Sequence, residues 1–458
     1  MTKILIPKSL IELTDLIQRH LLNAKEQGFD INEIELGVSS TSSLKIIKDH
    51  QVTDFNTDIT DDALEVTENT HHVYYHSKLS ALDYKSYSHS SFYIGIDDIE
   101  KSTKNHMDIW FNPVAAKTQA LSCSPKFSSD NFKPEQHFCW FVTLFALDFS
   151  IEDSWVLARA ITNTNENVPR ETYVGNDLNL GLFRWPNKIS QFPIPILNDS
   201  HLGIKSGCSS NMSDGPFAAI AKDGLGIYPI VSSSEWVEKL LELGVKTIQL
   251  RLKGLSSIEL EREIVRSIEL GCQYGGQIFI NDYWELAIQH GAFGVHLGQE
   301  DLEESNLALI NQANLRLGIS THGYYELLCG VSLCPSYIAV GPIFHTNSKQ
   351  LASKPQGLTR LALYQQLIDN IGCCYIPSDS VKTRHCPTVA IGGINQANAE
   401  QVLQCGVSSI ALIDAISTSD NIETSLSCFT ELIERYADKN HVYKGIALKE
   451  PRRAYVNG

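Results

Sequence analysis

The stretch VKTIQLRLKGLSSIELEREIVRSIELGCQYGGQIFIND, residues 245–282, changes its hydrophobic period twice. VKTIQLRL at its start and QIFIND at its end are short apolar runs of the kind that buried parallel strands show. Between them SSIELEREIVRSIELG repeats at helical spacing, and Ile258, Leu260, Ile264, Val265 and Ile268 would share one broad apolar face. Strand, helix and strand in one such segment make a βαβ unit, whose sheet is covered on both faces.

The same alternation continues on either side. GIYPIV (226–231), GVHLG (294–298), RLGIST (316–321), YIAVGPI (337–343), TVAIGGI (388–394) and SIALIDAI (409–416) are further candidate strands. Helical stretches separate them and are entered from polar residues, such as Ser234 before EWVEKLLEL and Asn395 before QANAEQVLQ. Repeats of this kind, eight in all, fit a closed (β/α)8 barrel better than an open sheet.

A chain of 458 residues is long enough for two or three domains. The segment from Asn198 to Lys222 is rich in Ser, Gly and Asn and has little apolar periodicity. It divides the chain into an α/β domain at 1–198, a linker at 199–222 and the barrel at 223–437, with a polar tail at 438–458. The formal net charge of −16 argues against nucleic acid or an anionic membrane as partner, since both would be repelled. Small anionic substrates remain compatible with it, provided cations gather in one cleft. Neither a signal peptide nor a membrane-spanning run is legible, and the 11 cysteines include no Cys-x-x-Cys pair. A cytoplasmic protein with reduced thiols is expected; oligomeric state is not legible.

In a barrel of this kind, chemistry sits at the C-terminal ends of the strands. Gln249, Arg251 and Lys253 alternate at the end of the second strand; Asn281 and Asp282 close the third; Gln299, Glu300 and Asp301 follow the fourth. Ser320, Thr321 and His322 close the fifth, and Thr346, Asn347, Ser348 and Lys349 follow the sixth. Gly392 and Gly393 end the seventh, and Ile413 and Asp414 lie at the eighth. Arg251, Lys253 and Lys349 suit a diphosphate. Asp282 and Asp301 are hard oxygen ligands that suit Mg²⁺, which keeps waters and substrate oxygens in its shell. The backbone turn at Gly393 can cradle a second phosphate. Each feature has a plainer reading: Arg251 and Lys253 as surface charges, Asp282 as a helix cap, His322 as a structural hydrogen-bonder. All of these would have to hold together on one rim.

These strings resemble thiamine phosphate synthases. QLRLK (249–253), FINDYWELAI (279–288), GVHLGQEDL (294–302), LGISTH (317–322), YIAVGPIFHTNSKQ (337–350), QGL (356–358) and TVAIGGI (388–394) stand in that family's order. The resemblance implies that Gln249, Leu250, Arg251, Leu252, Lys253, Asn281, Ser320 and Lys349 hold an aminopyrimidine diphosphate, with Arg251, Lys253, Lys349 and Ser320 acting on its departing pyrophosphate. It implies Asp282 and Asp301 as Mg²⁺ ligands. Thr346, Asn347, Ser348, Gly393, Ile413 and Asp414 would hold a thiazole phosphate. His345 stands where the family often has proline, and Asp414 where a small serine is usual. A carboxylate aimed at phosphate would repel it, so Asp414 is expected to face away.

Fragments of the first half resemble hydroxymethylpyrimidine (phosphate) kinases: IWFNPVAAK (109–117), FALDFSIEDSWVLARAI (145–161) and RWPNKISQFP (184–193). The glycine-rich anion hole of that family is here QHFC (136–139), without glycine, which implies a decayed kinase lacking ATP-dependent activity. Competing readings for the whole are a thiazole tautomerase, which needs a base such as His322 but no metal, and a non-catalytic regulator.

Overall fold

The computed structural model describes residues 1–60, 70–75, 91–97, 106–112, 117–123, 132–165, 184–205, 215–221, 224–346, 354–371 and 385–437. Asn347, Ser348 and Lys349 and the tail at 438–458 lie outside the described residues, as does part of the linker.

The first half is built on one mixed sheet. Its strands are β1 (Thr2–Ile6), β2 (Ile34–Val38), β3 (Leu44–Lys48), β4 (Gln51–Thr57), β5 (Thr70–Tyr74), β6 (Ser91–Asp97), β7 (His106–Asn112), β8 (Lys117–Cys123) and β9 (Ile194–Pro195). They lie in the order β2-β1-β3-β4-β5-β6-β7-β8-β9. The pairs β1–β2, β4–β5 and β5–β6 are parallel and the others antiparallel. Helices Thr14–Glu26, Pro134–Ala146 and Ile151–Asn165 accompany the sheet. The middle one is almost wholly buried, because PEQHFCWFVTLFA is apolar all round. The QHFC segment lies inside this helix, and His137, Phe138 and Cys139 fill the core there.

The linker region begins with a two-stranded hairpin, β10 (Asn198–Asp199) with β11 (Ile204–Lys205). Leu202 and Ile204 of that hairpin are buried with Met107 and Ile109 of the sheet. Further on, the Phe217 amide donates to the Cys334 carbonyl (3.1 Å) and Ser336 Oγ donates to the Ala218 carbonyl (2.7 Å). One end of the connection is thus packed on the sheet and the other on the barrel.

The second half is the closed barrel that the periodicity predicts. Its strands are β12 (Tyr228–Val231), β13 (Thr247–Leu250), β14 (Gln277–Asn281), β15 (Gly294–Leu297), β16 (Arg316–Thr321), β17 (Tyr337–Val340), β18 (Thr388–Ala390) and β19 (Ser409–Leu412). Each pairs in parallel with the next, and β19 closes onto β12 through Tyr228 opposite Ala411. The helix Ser257–Tyr274 shows how local sequence sets the elements. Ser256 and Glu259 form a reciprocal capping box at its start, and Gly275 ends it at φ 63°. Ile264 and Ile268 face inward as expected, but Ile258 is 83% exposed, because it belongs to the first turn, before the helix meets the barrel. The cap at the preceding helix is Ser233 rather than Ser234: its side chain accepts from the Trp236 amide.

The two halves share one continuous apolar core, within which Phe149, Trp185 and Phe192 of the first meet Tyr324 of the second. Ion pairs and backbone contacts border it, including Lys354–Asp148 (3.0 Å) and Arg360 with the Leu147 carbonyl. Among the described residues, no helix is long and apolar enough to cross a membrane.

Candidate active site

At the C-terminal ends of the barrel strands lies a cavity of 360 Å³. Gln249, Arg251, Asn281, Asp282, Asp301, Ser320, Thr346, Gly393, Ile413 and Asp414 all line it, together with Thr321 and His322. They come from separate strand ends because a residue at the carboxyl end of each barrel strand points toward the common axis. Leu250 and Leu252 do not line it; alternation along the strand turns both into the apolar core. Lys253 is solvent-exposed and outside the lining.

The carboxylates are arranged differently from one another. Asp282 has φ 66°, uncommon for a residue with a side chain, and its amide donates to the His296 carbonyl at 3.0 Å. The following helix, Trp284–Gln289, has Tyr283 at its N-cap and no side-chain cap bond, so Asp282 is not that helix's cap. Asp301 lies in the first turn of the helix Gln299–Glu304, where its Oδ2 accepts from the Gly298 amide at 3.3 Å. Both border the same cavity as Arg251, and no cluster of three His, Cys, Asp or Glu suited to a metal occurs among the described residues. Two hard carboxylates without a protein cage fit Mg²⁺, which completes its shell with water and phosphate oxygens.

The same cavity is bordered by a tight glycine turn. Gly392 and Gly393 have φ 103° and 64°, and a Cβ on Gly393 would meet the His345 carbonyl oxygen at 2.5 Å. Only glycine leaves the backbone free to follow this path. Asp414 is solvent-exposed and still borders the cavity, at the start of the short helix Asp414–Ser417.

One residue that strand-end reasoning passed over also lines the cavity. His296, 5% exposed, pairs through Nε2 with Ser320 Oγ (2.8 Å) and through Nδ1 with the Tyr337 hydroxyl (2.7 Å). Tyr337 in turn meets the Tyr228 hydroxyl (2.5 Å), to which Gln249 Nε2 donates (3.4 Å). Burial pushes both phenols above their ordinary pKa, so they stay protonated. The chain of hydrogen bonds ties Ser320 and Gln249, on non-adjacent strands, through the barrel's interior. The signal was present in GVHLG: His296 is an inward-facing polar residue in an otherwise apolar strand. His322 behaves as a hydrogen-bonder: its amide and Nδ1 both engage Glu326 Oε2 at 2.8 Å.

A larger cavity of 840 Å³ lies between the two halves and shares His322 with the first. Its charged lining is largely paired off, as in Lys48–Asp148 (2.9 Å) and Lys117–Glu303. The smaller cavity is therefore the candidate site, despite the difference in volume.

A closed (β/α)8 barrel whose rim joins a basic side chain, two acids and a tight glycine turn defines a class of barrel enzymes that act on phosphorylated small molecules. The family described as Thiamine monophosphate synthase matches residues 227–416. The chain is 48% identical over 211 residues to a thiamine-phosphate synthase of Yersinia pestis (strain Pestoides F), covering 46% of this chain and 91% of that protein. It is 46% identical over 219 residues to the thiamine-phosphate synthase of Pectobacterium atrosepticum, covering 48% and 96% respectively. This chain belongs to the thiamine-phosphate synthase family. A solved thiamine phosphate pyrophosphorylase from Pyrococcus furiosus is 27% identical and covers 47% of this chain and 98% of its own at a TM-score of 0.39, too low to add weight.

Proposed function

We propose that the barrel joins an aminopyrimidine carrying a methylene diphosphate to a thiazole phosphate, giving thiamine phosphate and pyrophosphate. The observation that carries this reading is the gathering of Arg251, Asp282, Asp301, Ser320 and Gly393 around one cavity.

In this reading the methylene C–O bond breaks and its electron pair leaves with pyrophosphate. The thiazole nitrogen then supplies the pair for the new C–N bond. Arg251 would grip the departing oxygens with its planar fork, aided by Lys253 and Lys349. Asp282 and Asp301 would hold Mg²⁺, which when bound supplies positive charge to the diphosphate. Ser320, oriented by His296, and Asn281 and Gln249 would place the pyrimidine. Thr346, Asn347, Ser348 and the backbone at Gly393, Ile413 and Asp414 would hold the thiazole phosphate. Ile230, Ala339, Pro342, Ile391 and Ala411 line the same cavity, and such apolar walls keep water from trapping an electron-poor methylene. No proton need be moved, so a tautomerase's general base has no counterpart in this mechanism.

The test is thiamine phosphate formation by the full-length protein from the two purified substrates. Product is expected with Mg²⁺, none with EDTA, and recovery when Mg²⁺ is restored. A well-folded protein that makes no product under the first condition would overturn the reading.

A further inference from the structure

We infer that Asp153, carried by the N-terminal half, is a positioning residue of the barrel's site, capping the helix that follows the fifth barrel strand and so holding the Ser320–His322 strand end in place. The inference rests on the proposed synthase reading for its kinetic consequences, though not for its geometry.

The first turn of any helix leaves backbone N–H groups that need acceptors. The helix Tyr324–Val331 starts at Gly323, which has no side chain and makes no cap bond of its own. The acceptor comes from the other half of the chain: Asp153 Oδ1 takes the Tyr325 amide at 2.8 Å. A Cβ built on Gly323 would lie 2.0 Å from Asp153 Oδ2. The carboxylate therefore occupies the space that a local cap would have filled. Gly323 has φ −179°, extended backbone open to any residue, so the approach of Asp153 is what calls for glycine here.

The position of this helix bears directly on the rim. Both the amide and Nδ1 of His322 bond Glu326 Oε2 on the same helix, and His322 lines the cavity beside Ser320 and Thr321. Trp185 Nε1 donates to the Tyr324 hydroxyl at 3.0 Å, a second hold from the N-terminal half. Asp153 is itself 5% exposed, and its own amide bonds Ser150 Oγ at 3.1 Å, so the carboxylate is fixed on rigid structure. Among the described residues no side-chain cation bonds this carboxylate, whose burial is costly unless it satisfies donors, and the Tyr325 amide of the barrel is such a donor. The first half thereby has a role in the synthase site that does not require any chemistry of its own.

The test is steady-state kinetics of the full-length protein with each substrate varied in turn. Asp153→Ala is expected to raise the KM for the pyrimidine diphosphate about tenfold, the scale of one lost cap amplified at a strand end, and the KM for the thiazole phosphate less than about twofold. Asp153→Asn retains an oxygen that can accept from Tyr325 and should stay within about twofold of wild type. Gly323→Ala should reproduce the defect of Asp153→Ala, and the double variant should be no worse than either alone. Wild-type KM values in Asp153→Ala, equal rises for both substrates, or equal damage in Asp153→Asn would overturn the inference. Amide hydrogen exchange at residues 321–328, compared without substrates in wild type and Gly323→Ala, judges the cap independently: faster exchange supports it and unchanged exchange overturns it. If the wild type makes no thiamine phosphate, the synthase reading fails while the exchange comparison still decides the cap.

Discussion

Buried charge is used in opposite ways by the two halves of this chain. In the N-terminal sheet, Arg159 and Asp108 are 3% and 1% exposed and locked to each other, with Arg159 Nε donating to Asp108 Oδ2 at 2.9 Å. The Gly95 amide also donates to Asp108, and Phe132 lies over the guanidinium. On the barrel rim, Arg251, Asp282 and Asp301 instead surround a cavity. The contrast separates two meanings of a polar residue in an apolar sequence. Charges that satisfy one another hold a fold together, whereas charges arranged around a space can act on something that enters it.

The largest expected effect tests the closed arrangement. Asp108→Ala leaves the Arg159 guanidinium buried without its partner, and should cost about 3–5 kcal/mol of stability, read by thermal or denaturant unfolding. If unfolding is unchanged, the pair is not what holds the sheet to its helix. Next in size is Asp301→Asn, which keeps an oxygen to accept from the Gly298 amide while removing the charge. Turnover should fall by about 10²–10³-fold, with unfolding unchanged. A retained rate would mean that the rim carboxylates are as structural as those of the sheet.

A third effect lies at the junction between the halves and depends on pH. Burial, with the like charges of Glu326 and Glu152, raises the Asp153 pKa from 3.8 to about 7 in the folded protein, against the pull of the Tyr325 and Tyr324 amides. Tyr324 and Tyr364 are titratable groups that also lie close enough to interact with it. A raised folded-state value means that this group's stabilising contribution is complete below about pH 4 and is lost as the pH rises to about 7. Asparagine cannot ionise, so Asp153→Asn should gain on the wild type in melting temperature between pH 4 and 7 and hold a constant lead above that. A lead that shrinks as the pH rises would show the carboxylate to be charged and favourably held. The smallest effect is expected from Asp414→Ser, which should leave turnover unchanged and the KM for the thiazole phosphate equal or lower. A large rise would show that the exposed carboxylate helps to bind that substrate.

Much of the barrel could be read directly from residues 226–416, because a strand buried on both faces must be apolar along its length and its helices must be amphipathic. The rim was legible for the same reason: in such a strand, a polar residue at the carboxyl end needs an explanation. Arg251, Asp282, Asp301 and Ser320 were found in this way and do border one cavity. His296 was not, since a single histidine inside GVHLG cannot be told from a core histidine until Ser320 and Tyr337 are seen on either side of it. Leu250 and Leu252 were drawn in by contiguity along QLRLK, although strand alternation turns their side chains away.

What sequence alone determined, then, was what repeats within a short window: the strand and helix periods and the polar residues at the strand ends. What only the tertiary structure decided was whatever joins distant segments. The mixed strand order of the first half, the His296 chain across the barrel and the meeting of Asp153 with Gly323 all belong to that class. The physical reason is range. Periodicity and capping act over one or two turns of chain, whereas Asp153 and Tyr325 stand 172 residues apart and meet only because two apolar surfaces closed against each other.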